Sequence, residues 1–203
     1  MADFAVFAEG LEEIGSLRHL NRNIEIAASK AINKVARNSR VDIARDIRNE
    51  VNLPARYVAP GNKRLYVSKH ASSNQLEARI TARGRPTSLA QFTSGGRVGK
   101  PGVYVEVAPG RARFMKRAFL IRLPQGSALT DTRFNLGLAI RLRPGESLQN
   151  KVSARRVSKG LYLLYGPSVD QVFRSKDGTG VATDRVPAIE RELSNEFLRL
   201  LEL

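Results

Sequence analysis

The stretch Leu161-Tyr162-Leu163-Leu164-Tyr165-Gly166-Pro167-Ser168-Val169-Asp170-Gln171-Val172-Phe173 decides the fold prediction. Its first half is a short apolar run rich in Leu and Tyr, which is typical of a buried strand. Gly166-Pro167 ends that strand, because proline has no N–H to donate and restricts the residue before it. Ser168 is a good helix N-cap, and Val169 and Phe173 after it lie at helical spacing. The sequence therefore predicts a strand, a sharp turn and a helix in succession. On physical grounds alone, the simplest interpretation is a corner that only contributes to the hydrophobic core.

Two amphipathic helices are predicted near the ends of the chain. The first covers residues 23–51, where apolar or small side chains recur every three or four positions for about eight turns. Its basic residues lie outside this stripe, and Asp42 and Asp46 are spaced to pair with them. This charge favours a solvated face over a nucleic-acid footprint. The second helix is marked by Val186, Ile189, Leu193, Phe197 and Leu200.

Between the helices the apolar period changes to two. Residues 65–69 and 76–80 predict a hairpin, and 103–107 and 136–142 predict further strands. We find no internal repeat and no linker long enough to divide domains. We therefore expect a single α+β domain over residues 1–203, in which a long N-terminal helix and a C-terminal helix pack on a mainly antiparallel β-sheet.

Composition limits the partners that this chain can have. The 203 residues are 42% hydrophobic and carry a net charge of +15, which favours a polyanion: nucleic acid, an anionic membrane or an acidic protein surface. No run approaches the roughly 20 apolar residues of a membrane span, and residues 1–4 lack the basic region of a secretory signal. We expect a protein without a membrane partner that is made in a cytoplasm.

One basic stretch stands out from the rest of the chain. From Arg83 to Arg122 there are nine basic residues against one acid, Glu106. Because Gly and Pro punctuate this stretch, we expect its charge on loops and strand ends. It can face DNA phosphates or acidic protein surfaces, or it can merely keep the protein soluble. The candidate partner- or DNA-facing residues are Arg83, Arg85, Arg97, Lys100, Arg111, Arg113, Lys116 and Arg117.

The sequence lacks the motifs of catalytic and cofactor sites. A P-loop is excluded around Gly99-Lys100, because Ser94 replaces its first glycine and Pro101 its hydroxyl residue. The chain has no Cys and only two His, His19 and His70, so we expect neither a metal nor another cofactor. Tyr104, Phe114 and Phe119 could stack on bases, although all three fit core positions at least as well. We predict a protein that is not an enzyme.

Three features resemble the prophage minor tail protein Z family, the tail-completion proteins of long-tailed phages. They are the corner Tyr165-Gly166-Pro167-Ser168-Val169, the Ala- and Arg-rich helix ending at Asn52-Leu53-Pro54, and the block Arg117–Leu120 after a Pro-Gly-rich segment. The resemblance covers the chain from about Asn21 to its last residue. None of the three features is catalytic.

The resemblance implies a structural role. Such a protein caps the head-proximal end of the tail tube and helps to join tail to head in the virion, as a ring that is usually six-fold. It implies as partners further copies of the chain, the tail-tube or tail-terminator protein, head connector proteins, and genomic DNA bound without sequence specificity. The alternative is a stand-alone basic nucleic-acid-binding protein, although the sequence has no recognisable docking motif.

The residues of the corner Tyr165, Gly166, Pro167 and Ser168 also carry a structural expectation. Gly166 should adopt a backbone conformation that only glycine reaches cheaply, and Pro167 should fix the turn. Substitution of Gly166 should therefore destabilise the protein.

Overall fold

The computed structural model describes residues 4–6, 22–94, 96–123, 136–148, 153–174 and 180–201. It has an N-terminal helix, a C-terminal helix and mainly antiparallel sheets, which confirms the predicted α+β class. The chain divides into two compact units, each assembled from separate segments. Unit 1 comprises Met1–Ile47, Tyr57–Gly84 and Asp170–Leu203, and unit 2 comprises Arg48–Arg56 and Arg85–Val169. A single domain over residues 1–203 stays a prediction.

Helix α1 (Arg22–Glu50) follows the predicted stripe closely. Its buried face is dominated by small residues, and the larger side chains Ile43 and Ile47 are almost fully buried toward its end. The helix ends four residues before Pro54, and a 3₁₀ turn over Ala55–Tyr57 follows.

Unit 1 contains a three-stranded antiparallel sheet. Its strands are β1 (Phe4–Val6), β2 (Leu65–Lys69) and β3 (Ala78–Ala82), with β3 in the centre. Leu65 lies opposite Ala82, and Ser72 and Gln75 bridge the connection between β2 and β3. The predicted hairpin is therefore confirmed.

A buried arginine links α1 to this part of the chain. Arg40 is 7% exposed, and its Nε donates a hydrogen bond to the carbonyl oxygen of Leu65 at 3.0 Å. A second donor, Nη2, bonds the carbonyl oxygen of Val58. Burial lowers the pKa of the guanidinium, and the two carbonyl oxygens are its hydrogen-bond acceptors.

Two further helices follow, α2 (Val169–Arg174) and α3 (Val181–Leu201). The α3 helix begins five residues before the predicted Val186 and contains Pro187, which cannot donate to the helix backbone. Arg185 of α3 forms ion pairs with Asp42 and Asp46 of α1. The predicted pairing within α1 is confirmed for Asp42 and Arg45, whose closest charged atoms lie 2.6 Å apart.

Unit 2 contains a seven-stranded antiparallel sheet. In chain order, its strands are β4 (Thr87–Ser88), β5 (Thr93–Ser94), β6 (Pro101–Val105), β7 (Arg113–Arg122), β8 (Leu136–Arg141), β9 (Ala154–Ser158) and β10 (Leu161–Gly166). Their order in the sheet is β4-β10-β8-β7-β6-β5, and β9 also pairs with β10. Leu120, Leu138 and Leu164 lie opposite one another across three strands and are buried.

The predicted strand, turn and helix at 161–173 are confirmed as β10, Pro167-Ser168 and α2. The segment Leu89–Phe92 is a 3₁₀ helix. The backbone N–H of Ala90 donates to Oγ of Ser88, which caps this helix. The sequence did not predict strand β9, and it placed no strand over the full length of β7.

Candidate functional site

The charge of the protein is concentrated in one unit. Unit 2 contains 17 basic and 4 acidic residues, a net charge of +13, whereas unit 1 contains 17 basic and 15 acidic residues. The sequence signal for this asymmetry was the one-sided stretch 83–122. The unit boundaries show that the asymmetry extends from Arg85 through the β8, β9 and β10 region. Electrostatic attraction therefore favours the binding of a polyanion to unit 2 over its binding to unit 1.

Three of the predicted basic residues lie on connections between strands, as expected. Arg97 and Lys100 flank the turn at Gly99 between β5 and β6, and Gly99 has a φ of 77°. The backbone N–H of Gly99 donates to the carbonyl oxygen of Leu120 at 2.8 Å, which ties this turn to β7. Arg111 lies in the turn between β6 and β7, where its N–H donates to the carbonyl oxygen of Ala108.

Two of the other charges of this region depart from the prediction. Arg113 is the first residue of β7 and thus lies at a strand end, as expected, whereas Lys116 and Arg117 lie within β7; all three are exposed. The expectation of loops and strand ends fails here because the first half of β7 is exposed, so charged side chains are tolerated along the strand. Lys116 and Arg117 also lie where the pairing register of β6 and β7 shifts, between the pairs Val103–Met115 and Pro101–Phe119.

Arg117 is held by an acid of its own unit. Its Nη1 and Nη2 donate to the two carboxylate oxygens of Glu146, each at 2.8 Å, and Nη2 also donates to the carbonyl oxygen of Arg141. These bonds, together with the backbone N–H of Arg143, lower the pKa of Glu146 to about 2 and raise the pKa of Arg117. Arg117 is therefore engaged within the chain.

Arg83 and Arg85 differ from the remaining candidates because both interact with other groups of the chain. Arg83 is half-buried in unit 1, and its carbonyl oxygen accepts a hydrogen bond from the N–H of Asp170 at 3.1 Å. Arg85 is exposed in unit 2, and both arginines take part in further interactions within the chain. Neither is a free cation.

The predicted set thus contains one group of uncommitted charges, which we call the free-cation group. It consists of the five residues of that set that are exposed and have no acidic partner among the residues that the structure describes: Arg97, Lys100, Arg111, Arg113 and Lys116. The same sheet carries further exposed cations that sequence reasoning did not select. They are Arg122, Arg141, Arg143, Arg155, Arg156 and Lys159.

The corner has a structural role, but for a different reason than predicted. Gly166 does not have a positive φ, so its backbone conformation is open to other residues as well. Instead it closely approaches two side chains: a Cβ at this position would lie 3.0 Å from Cε2 of Phe92 and 3.1 Å from Cδ2 of Leu89. Tyr165 and Gly166 pair with Ser88 and Thr87 of β4, and Ser168 is fully buried.

An exposed aromatic pair lies next to the free-cation group. Tyr104 of β6 and Phe114 of β7 are register partners with ring centroids 4.9 Å apart, and they are 53% and 56% exposed. Sequence reasoning judged that both fit the core at least as well as a binding surface. The structure places both outside the core, whereas Phe119 is half-buried.

The structure shows no arrangement typical of a catalytic or metal site in its described ranges. There, no three His, Cys, Asp or Glu side chains cluster to hold a metal ion, and His70 is exposed while His19 lies outside those ranges. An open groove of about 520 Å³ between α1 and α3 is lined by charged residues, among them Lys34, Glu196 and Arg199. These three are paired with one another. No helix among the described residues has the length and apolar character needed to cross a membrane.

No protein-family model matches this chain, and comparisons with curated proteins and with solved structures find no match either.

Proposed function

We propose that this chain is a non-enzymatic structural protein of a phage tail, which caps the head-proximal end of the tail tube and helps to join tail to head. The observation that carries the proposal is the charge asymmetry, with a net charge of +13 in unit 2. The resemblance of the corner, the long helix and the Arg117–Leu120 block to tail-completion proteins gives this basic unit a specific role.

The proposed assembly is a homo-oligomeric ring, six-fold like the tube that it caps. In a ring the free-cation group is repeated once per copy, so a modest local charge becomes a continuous positive collar. Such a collar suits two kinds of partner: genomic DNA held through its phosphates, and acidic surfaces of the tail-tube, tail-terminator or head connector proteins. In this proposal the protein is located in the virion, at the head-proximal end of the tail.

Negative-stain imaging of the purified protein, alone and mixed with tail tubes that lack it, tests the proposal. We expect rings, or tubes with one capped end, and tubes so capped should join filled heads. A protein that stays monomeric and leaves both tube ends bare when tubes and connectors are supplied would refute it.

The second candidate, a stand-alone nucleic-acid-binding protein, is favoured by a different observation. The exposed pair Tyr104 and Phe114 lies beside uncommitted cations, which is a combination used to bind nucleic acid. Binding to nucleic acid in the absence of any effect on tail tubes would favour this candidate over tail completion.

A further inference from the structure

We propose that Tyr104 and Phe114, with the cation Lys116 beside them, form a binding site for unpaired DNA, in which a base stacks on an exposed ring and a neighbouring phosphate contacts Lys116. The choice of DNA over RNA rests on the proposed function. The stacking site itself rests on the ring pair and its surroundings.

The exposure of the pair is the first observation. Both rings have more than half of their surface exposed, whereas Phe92 and Phe173 are buried in the same chain. Among the aromatic side chains whose burial the structure describes, only Tyr104 and Phe114 are exposed. An exposed aromatic pair loses apolar burial that a core position would provide, and stacking with a planar ligand would recover it.

The backbone of β6 contacts Phe114 on one side. Gly102 has a φ of 97°, and a Cβ built on it would lie 3.2 Å from Cζ of Phe114. The tip of the ring therefore lies against the backbone at Gly102, where the positive φ would strain any other residue. Because this contact restricts the ring on one side, Phe114 loses less conformational freedom on stacking than a fully solvated ring would.

The charges beside the rings supply the second half of the site. Lys116 lies two residues after Phe114, at the register shift of β7. Arg113, which pairs with the buried Val105, lies on the opposite face of the strand from Phe114. Arg111 lies in the turn that joins the two strands carrying the rings. None of the three has an acidic partner among the described residues, and Glu106, the nearest acid in sequence, accepts a hydrogen bond from the N–H of Gly110 at 2.7 Å.

Ring and charge together select an unpaired strand. In a duplex the faces of the bases are already stacked, so a protein ring reaches them only after unstacking, whereas phosphates are accessible in both forms. Cations alone would bind duplex and single strand through the same phosphate contacts. The ring pair therefore predicts a preference for single-stranded DNA over the duplex.

Fluorescence anisotropy with the purified full-length protein tests this preference. The probes are labelled oligo(dT) of 20 nucleotides, a duplex of the same length and oligo(rU), each titrated at several salt concentrations. The double variant Tyr104→Leu/Phe114→Leu should bind oligo(dT) about tenfold or more weakly than the wild type, because leucine keeps apolar bulk but offers no π-face. Its binding to the duplex should not change.

Two controls separate stacking from a general loss of structure. Val157→Ala removes another exposed apolar side chain of the same unit and should bind every probe like the wild type. Tyr104→Phe keeps a ring and should keep the affinity. The chain has no Trp and five Tyr, so its emission comes from tyrosine. The part of the quenching by oligo(dT) that is due to Tyr104 is the part that should be lost in Tyr104→Phe.

Three results would overturn the inference. The first is equal loss of single-strand and duplex binding in the leucine variant, the second is no loss at all, and the third is tighter binding of oligo(rU) than of oligo(dT). Tube capping is measured separately with the same variants. If the protein caps tail tubes but shows no base stacking, only the proposed stacking site is rejected. If it shows base stacking but does not cap tubes, only the proposed role in tail completion is rejected.

Discussion

Arg117 and Glu146 form a two-pronged ion pair in which both Nη atoms lie 2.8 Å from the carboxylate oxygens. The geometry is that of the strongest carboxylate–guanidinium contacts. It removes one cation from the predicted DNA-facing stretch, because binding a phosphate would require Arg117 to leave Glu146. Two arginines that are four residues apart on β7, Arg113 and Arg117, are therefore expected to behave differently.

The first prediction compares these two arginines. Arg113→Gln should weaken DNA binding for every sequence and reduce the slope of log K against log salt by about one, as the loss of one phosphate contact requires. Arg117→Gln should leave both the affinity and the slope nearly unchanged. Filter binding at four salt concentrations measures both. An equal effect of the two substitutions would show that the ion pair with Glu146 does not prevent Arg117 from binding phosphate.

The second prediction concerns acid stability at the contact between α1 and α3. Arg199 and Lys34 lower the pKa of Glu196 to about 2 from an ordinary value of 4.5. Since the folded-state pKa is depressed, the stabilisation is complete above about pH 4.5 and is lost as the pH falls toward 2. Glu196→Gln should reduce the urea midpoint at pH 7 and make little difference at pH 2. The effect should shrink in high salt, because Lys34 is exposed.

A third prediction follows from the close approach at Gly166. Gly166→Val should destabilise the protein by about 1–3 kcal/mol, because the new side chain must displace Phe92 and Leu89 from a packed position. Thermal melting measures the loss. Gly84 is the matched control: it also lacks a positive φ, but a Cβ added there would lie 3.9 Å from the nearest side-chain atom. Gly84→Val should lower the midpoint far less than Gly166→Val does.

A double-mutant cycle identifies the cause of the Gly166 effect. If the ring of Phe92 is the obstacle, Gly166→Ala should cost less in a Phe92→Leu background than in the wild type. Additive losses would show that contact with Phe92 is not what excludes a side chain at position 166.

The fourth prediction concerns the buried Arg40. Arg40→Leu leaves the carbonyl oxygens of Val58 and Leu65 without this donor and should reduce the free energy of unfolding by about 1–3 kcal/mol. Arg37 is exposed on the same helix, and Arg37→Leu should change stability by no more than about 0.5 kcal/mol. Urea denaturation compares the two. Equal losses would mean that Arg40 contributes no more than a surface arginine.

The parts of the fold that sequence predicted are those where burial imposes a period. The stripe of α1, the hairpin of β2 and β3, and the corner at 161–173 each place apolar residues on one face. Strand β9 could not be found in this way, because four of its five residues are exposed and its pairing with β10 leaves no apolar pattern. Arg40 was missed for the opposite reason, since hydrogen bonds rather than hydrophobicity accommodate its burial.

The candidate site shows the same limit. The charge of the stretch 83–122 is visible in the sequence, but the partners of each cation are not: Glu146 lies 29 residues from Arg117. Aromatic residues in strands normally favour the core, so nothing in the pattern marked Tyr104 and Phe114 as exposed. Only the register of β6 and β7 brings them together.

The last prediction tests whether the location of the charge matters or only its sum. Reversal of Arg97, Lys100, Arg111 and Arg113 to Glu lowers the net charge of the chain from +15 to +7, with every change in unit 2. Reversal of four exposed cations of unit 1 lowers it by the same amount: Lys30, Arg37, Lys63 and Arg191. If unit 2 provides the phosphate contacts, only the first variant should lose DNA binding and its steep salt dependence.

The two variants also separate the two proposed partners of the collar. If the free-cation group holds DNA, the unit 2 variant should cap tail tubes like the wild type and fail only in retaining DNA. If the group meets acidic protein instead, that variant should retain DNA and fail to join heads to tails. Equal losses of DNA binding in both variants would show that net charge alone drives binding. Long-range attraction depends on the whole charge distribution, whereas phosphate contacts depend on individual side chains.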